Sequence, residues 1–384
     1  MYQFGISFII PMRSSDSSVK EAISSILEMD EVFISRKLDY EVLVIIDDTH
    51  DSLATEIIVF LNEFISNKEK KIRLLFVGAR TGGASEPRNC GITNAKHEWL
   101  FFLDSDDTIN LTDFKKLICE IDDDHSVILS QSRKLFEESL GTIQKSSFKT
   151  FDLEFIYAVR SYLYQPNRDL IFSHVWGHLF RVSVIRDNRL KFNRELTNFE
   201  DVDFLFKFFA LDTQVKITNL SPIFKQTKPI GHSETVNFRR SFASHLGFLG
   251  AWNSIESYLE TSSAGMQLGE SACVLELIRE INSVRCAFIG SLFSWSIVMN
   301  SPRYAGNYRG LMQMKNEIRL ALSNNPVLVE VFKDYEPIRA TGGSRLLKLL
   351  INNNLFLACV LAKARYRKRS RRQDSWFAVS KVLQ

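Results

Sequence analysis

Three carboxylates, Asp104, Asp106 and Asp107, fall within four positions directly after the apolar run Trp99-Leu-Phe-Phe-Leu103. Like charges held that close repel one another unless a cation or protons neutralise them. A hard divalent ion with oxygen ligands is the simplest neutraliser, and such an ion also takes substrate phosphates. A second acidic pair, Asp47-Asp48, ends another apolar run, and a third, Glu200-Asp201, opens a stretch of bulky apolar residues. The simpler reading of the first cluster is an acidic loop capping the next helix. For Glu200-Asp201 it is negative charge complementing a helix N-terminus.

The elements that must position these residues follow from the hydrophobic pattern. Trp99 to Leu103 is an uninterrupted apolar run with a polar break after it, which reads as a strand buried on both faces. Gly5 to Pro11, Tyr40 to Ile46 and Ile72 to Val77 read the same way, and Val127 to Gln131 reads as a further strand. Asp16 to Met29 has helical spacing, with Val19, Ile23, Ile26 and Leu27 on one face. Asp51 can cap a helix running to Ser66. Gly78 to Gly91 reads as a glycine-rich loop leading into a short helix. This alternation of strand and helix predicts a parallel sheet with right-handed crossovers. Open α/β sheets bind ligands outside the carboxyl ends of their strands. Two such ends carry acids here and a third opens the glycine-rich loop, so one edge has three contributors. Beyond Leu111 the spacing predicts helices over Phe151–Tyr164, Arg181–Asp187 and Phe199–Phe209, and then a helical region with segments near 242–260, 270–299, 309–323 and 344–366.

Composition sets the outer bounds. At 384 residues, with 45% hydrophobic residues and a net charge of +3, the chain is globular and its overall charge selects no partner. Five cysteines without a CxxC pair read as free thiols in a reducing compartment. No basic segment precedes the first strand, so no signal peptide is expected, and the chain is assigned to the cytoplasm. No run of 18 apolar residues is present, so no membrane-spanning helix is expected. There is no GxGxxG or GxxxxGK motif, which leaves dinucleotide and P-loop chemistry unsupported.

Six motifs in order resemble the family 2 glycosyltransferases with the GT-A fold. They are Ile10-Pro11, Asp47-Asp48, Gly83 through Arg88-Asn89-Cys90-Gly91, Leu103-Asp104-Ser105-Asp106-Asp107, Trp176-Gly177-His178-Leu179-Phe180 and Glu200-Asp201. Any one of these is weak; six at ordinary spacings are specific. The resemblance covers residues 5–235. It implies a Rossmann-like, mostly parallel sheet flanked by helices, with a nucleotide-sugar-binding half over 1–115 and an acceptor-binding, catalytic half over 116–237. Residues 238–384 lie outside the resemblance, and their spacing predicts an α-helical C-terminal extension with a basic tail.

The same resemblance implies inverting transfer of a sugar from a nucleotide diphosphate donor, typically uridine diphosphate, to a glycan or lipid-linked acceptor of a bacterial surface polymer such as a capsule, lipopolysaccharide or teichoic acid. By that likeness Pro11 and Asp48 line the base pocket with Asp47 beside it, Arg88 lies along the donor, and Asp104 binds the ribose. Asp106 holds a Mn²⁺ or Mg²⁺ ion at the diphosphate. Asp201 is the general base and Glu200 contacts the acceptor. Gly231-His-Ser-Glu-Thr235 resembles the family's mobile loop, with Ser233 and Lys225 or Lys228 at the diphosphate and His232 at the metal or a phosphate. The chemistry fits: a metal stabilises a departing diphosphate without a proton donor, and one carboxylate opposite it activates the attacking hydroxyl.

This chain also departs from the pattern. Met12-Arg13 follows the first proline where the family carries a different pair, and His178 replaces a customary basic residue and reads as structural. The Asp104-Ser-Asp106-Asp-Thr108 segment also fits the haloacid dehalogenase-type phosphatases, with Asp104 as nucleophile and Asp106 as acid and base. That motif belongs on a first strand, whereas three strands precede it here. A degenerate transferase domain that only binds a partner is the non-enzymatic alternative, and the intact acids argue against it.

The C-terminus has two readings. Leu346 to Leu361 is apolar at partly helical spacing, and Lys363 to Arg372 adds seven basic residues before Trp376 and Phe377. Such a segment can lie peripherally on the anionic inner face of a membrane, each basic residue contributing about 1 kcal/mol. Alternatively the leucines pack on the helical region and the basic run is solvated. No basic fold surrounds the run, so nucleic acid is not an expected partner.

Overall fold

The structure is a computed structural model. It describes residues 4–13, 18–47, 71–78, 83–130, 147–149, 174–196, 199–211 and 213–225, with positions 59, 250, 251, 254, 255, 257 and 258. These belong to one of two compact units, Met1–Thr227 with Gly250–Leu277. The expected helices at 51–66 and 151–164 and those C-terminal to 260, the basic run, Asp48, His232 and Ser233 lie outside the described residues.

Four parallel strands carry the N-terminal half: β1 (Phe4–Arg13), β2 (Leu38–Asp47), β3 (Ile72–Val77) and β4 (Trp99–Phe102), in the spatial order β3-β2-β1-β4. The continuous apolar runs are explained by burial on both faces. Ile6, Phe8, Ile10 and Met12 of β1, Val42, Val44 and Ile46 of β2, and Trp99 and Phe101 of β4 belong to one core cluster. Helices α1 (Val19–Leu27) and α2 (Asp30–Ser35) follow β1 and bury Val19, Ala22, Ile23, Ile26 and Phe33. Rings of Phe8, Phe33, Tyr40, Phe101 and Phe114 pack edge-on or stacked at 4.5 to 6.4 Å.

Helix α3 (Ser85–Asn94) begins inside the segment whose glycines predict a loop. Pro87 is tolerated because the first turn of a helix needs no N–H there. Gly91 is a packing residue: a Cβ at that position would lie 2.5 Å from Ile9 Cγ2, so only glycine lets the helix approach β1 this closely.

The sheet then turns mixed. β5 (Asp107–Ile109) leaves it and pairs antiparallel with β10 (Ile223–Lys225). Helix α4 (Leu111–Leu117), capped by the Asn110 side chain, leads to β6 (Val127–Ser130) and β7 (Ser147–Lys149). β8 (Leu179–Arg181) runs antiparallel between β4 and β6, and β9 (Gln214–Thr218) lies parallel to β6 with β7 at the edge. Helix α5 (Val182–Asp187) follows β8, and α6 (Glu200–Phe209) precedes β9. On this side Phe102, Phe180, Phe192 and Phe204 form a second aromatic cluster, with Phe192 and Phe204 stacked at 4.1 Å. It locks α6 against the end of β4. Among the described residues no helix is long and apolar enough to cross a membrane, and Cys90 and Cys119 are free.

Candidate active site

The carboxyl ends of β1, β2 and β4 share one edge. Pro11 sits in β1 beyond Ile9, the last residue paired with β4, while β2 still pairs opposite it at Ile45. A proline fits there because one flank needs no ladder N–H. Asp47 is the final residue of β2 and is buried. After β4 the chain closes a tight turn, the Asp107 N–H donating to the Asp104 carbonyl at 3.0 Å. That turn, with Asp107 already paired into β5, folds the acids together. One carboxylate oxygen from each of Asp104, Asp106 and Asp107 lies within 4.8 Å of the others. The set is all hard oxygen, which suits Mn²⁺ or Mg²⁺. The residues present therefore fit a divalent cation.

Arg88 joins this turn to the second acidic pair. It is 5% exposed, and its guanidinium donates to Asp201 Oδ1 at 2.6 Å, Glu200 Oε1 at 3.2 Å and Asp104 Oδ1 at 3.3 Å, with the Phe192 ring 5.4 Å away. The planar fork of donors serves three carboxylates at once. Burial works against the Arg88 charge, but Asp201, Asp104 and Glu200 outweigh it and hold the group protonated more firmly than usual. Burial, with the neighbouring Asp201 adding to it, pushes the Glu200 carboxyl up to about 7, with Arg88 opposing. Sequence resemblance laid Arg88 along a donor; in the structure it is the hub of an ionic cluster. A single arginine near a glycine-rich segment gave no signal of that bridging role.

The Trp176-Gly177 motif orients Asp201. Trp176 bridges Phe102 at the end of β4, and the Gly177 N–H donates to the Phe102 carbonyl at 3.2 Å. Gly177 has φ 79°, a conformation that favours glycine. The turn so fixed presents the Val175 N–H to Asp201 Oδ2 at 3.2 Å. Val175 is a site residue that sequence reasoning missed, because a backbone donor has no residue-type signature. Phe199, just before the pair, also holds a left-handed φ of 63°, which turns the chain abruptly into α6. His178 is fully buried and its Nδ1 accepts from the Ser130 N–H at 3.1 Å, the structural role expected of it. Asn89 clamps Phe192 through both its backbone N–H and carbonyl, at 2.8 and 2.9 Å. The Arg-Asn pair of the motif thus positions both the acids and the segment that leads to them.

Comparisons with known proteins bear on the family and the fold. The family model of Glycosyl transferase family 2 matches residues 7–188. Poly(ribitol-phosphate) beta-N-acetylglucosaminyltransferase TarS of Staphylococcus aureus is 24% identical over 225 residues, 59% of this chain and 36% of that protein. Poly(ribitol-phosphate) beta-glucosyltransferase of Bacillus spizizenii is 23% identical over 262 residues, 67% of this chain and 37% of that protein. The chain thus spans little more than a third of the length of these curated relatives. A crystal structure of S. aureus TarS 1–349 in complex with UDP-GlcNAc superposes with a TM-score of 0.60 at 17% identity, covering 95% of this chain and 92% of that one. The mostly parallel sheet flanked by helices is therefore the fold the sequence implied.

Proposed function

We propose that this protein, whose residues 7–188 match the family model of Glycosyl transferase family 2, transfers a sugar from a uridine diphosphate-sugar to a hydroxyl of a bacterial surface polymer. Its relatives act on poly(ribitol-phosphate), which makes a teichoic acid-like polyol phosphate the acceptor class of choice. The observation that carries this reading is the linkage of Asp104 to Asp201 through Arg88, which brings an acidic, cation-fitting turn beside an oriented carboxylate.

Asp106 would hold the divalent cation and Asp104, in the same turn, the ribose, with Asp47, Asp48 and Pro11 on the nucleotide side. When bound, the cation supplies Lewis-acid stabilisation of the charge on the departing diphosphate. Asp201 takes the proton of the attacking hydroxyl as its oxygen bonds to the anomeric carbon and the bond from that carbon to the diphosphate oxygen breaks. Arg88 and the Val175 N–H fix the direction of that carboxylate. Glu200, beside it, faces the acceptor. A single displacement of this kind inverts the anomeric centre.

The test is turnover of a panel of nucleotide sugars in the presence of polyol phosphate acceptors, with product mass and anomeric configuration read by mass spectrometry and NMR. Release of uridine diphosphate with an inverted linkage is expected. Turnover of a phosphate monoester with no nucleotide sugar consumed would instead favour phosphatase chemistry at Asp104.

A further inference from the structure

A cavity of about 620 Å³ opens beside α6, away from the acidic turn. Its wall includes Asn193, Glu195, Lys207, Ser254, Ser257 and Tyr258, and none of the acids described above. The polar groups are pre-arranged. Lys207 is 8% exposed, and its ammonium donates to Asp203 Oδ2 at 2.9 Å and Ser254 Oγ at 2.7 Å. Ser254 Oγ also accepts from Asn193 Nδ2 at 3.1 Å. An ammonium has three protons and an amide nitrogen two, so Lys207 and Asn193 each keep a donor beyond these bonds. The Tyr258 ring lies 5.6 Å from the Lys207 ammonium, and among the described residues its hydroxyl has no partner.

We propose that this cavity binds a neutral, hydroxyl-rich unit of the acceptor, a sugar or polyol residue away from the reacting hydroxyl. Three observations select that chemistry. Amide, ammonium and hydroxyl groups around an aromatic ring offer both donors and acceptors to a polyhydroxy ligand while the ring covers its C–H face. The Lys207 charge is already matched by the fully buried Asp203, and Glu195 adds a negative charge at the wall, so among the described wall residues no net positive charge is left to hold a phosphate. The place is also right for an extended acceptor. Lys207 lies six residues beyond Asp201 on the same helix, roughly 9 Å along its axis. The wall residue Asn193 is tied to the Arg88 helix by the Ser85 hydroxyl, which donates to its carbonyl at 3.0 Å. The site is thus rigidly spaced from the base.

The assignment of the ligand to an acceptor rests on the proposed transferase function, and the test separates the two. Saturation-transfer NMR of the full chain would be run with ribitol, glucose and N-acetylglucosamine, and with inorganic phosphate as the charged probe, alongside calorimetry with uridine diphosphate and Mn²⁺. Tyr258→Ala removes the ring and Ser257→Trp fills the cavity; Tyr258→Phe keeps the ring and controls for folding. At least one polyhydroxy probe should bind the wild type and Tyr258→Phe, weaken about tenfold or more in Tyr258→Ala and in Ser257→Trp, and persist when uridine diphosphate saturates the donor site. Binding of no polyhydroxy probe, equal binding in both cavity variants, or binding of phosphate in its place would overturn the proposal. Loss of the polyhydroxy signal in the variants of a protein that binds no nucleotide would leave the cavity assignment standing and refute the transferase reading.

Discussion

Replacing Glu200 by Gln should stabilise the protein, and do so more at high pH than at low. Glu200 is 17% exposed and lies among Asp201, Asp104 and the shared Arg88. Burial and Asp201 raise its carboxyl from 4.5 to about 7. A carboxyl raised on folding costs stability as pH climbs above its unfolded value, and the cost levels off once pH passes the folded value. At 1.36 kcal/mol per pH unit, the cost is about 1 kcal/mol at pH 5 and about 3 kcal/mol at pH 8. Gln keeps an oxygen for the Arg88 fork and cannot ionise, so it removes this pH-dependent part. Any weakening of the Arg88 hydrogen bond is a constant offset. The stability gain of Glu200→Gln should therefore grow by about 2 kcal/mol between pH 5 and pH 8, or roughly 4–8 °C in Tm. Thermal unfolding of both proteins with a chelator present, at half-unit pH steps, measures this. A difference between them that does not change with pH would refute the reasoning.

Asp201→Asn should bind uridine diphosphate with near wild-type affinity while sugar transfer falls about 10²–10⁴-fold, read by calorimetry and product formation on the same preparation. Arg88→Met should cost about 3–5 kcal/mol in chemical denaturation, because three carboxylates lose their shared cation. Arg88→Lys should recover only part of that, since a point charge cannot reach all three acids as the fork does. Gly91→Ala should destabilise by about 1–3 kcal/mol despite the better helix propensity of alanine, because the new methyl meets the fully buried Ile9. Adding Ile9→Val to that variant should regain part of the loss.

The strands that carry the acids were legible because burial on both faces writes a continuous apolar run. Trp99 to Phe102 and Ile72 to Val77 form where the pattern puts them. The short strands β5, β8 and β10 carry no such signal. Three residues are too few for a period, and their pairing partners, such as Ile223 with Ile109, are remote in sequence. Gly78 to Gly91 misled in part, because a glycine that permits a turn and one that permits close packing look alike. At the site, residue types alone flagged the acids. The bridge through Arg88 and the Val175 N–H depend on tertiary placement, and so does the cavity around Lys207, whose lysine and aspartate read from the chain as ordinary helix residues.

The most direct measurement is titration calorimetry of uridine diphosphate into the protein with Mn²⁺ and with chelator, on the wild type and on Asp106→Ala. Binding that needs the ion and disappears in Asp106→Ala is the predicted result, because Asp104, Asp106 and Asp107 each bring a carboxylate oxygen within 4.8 Å of the others, and on the proposed function Asp106 would hold the ion at the diphosphate. Equal affinity with and without the ion, unchanged in Asp106→Ala, would contradict it.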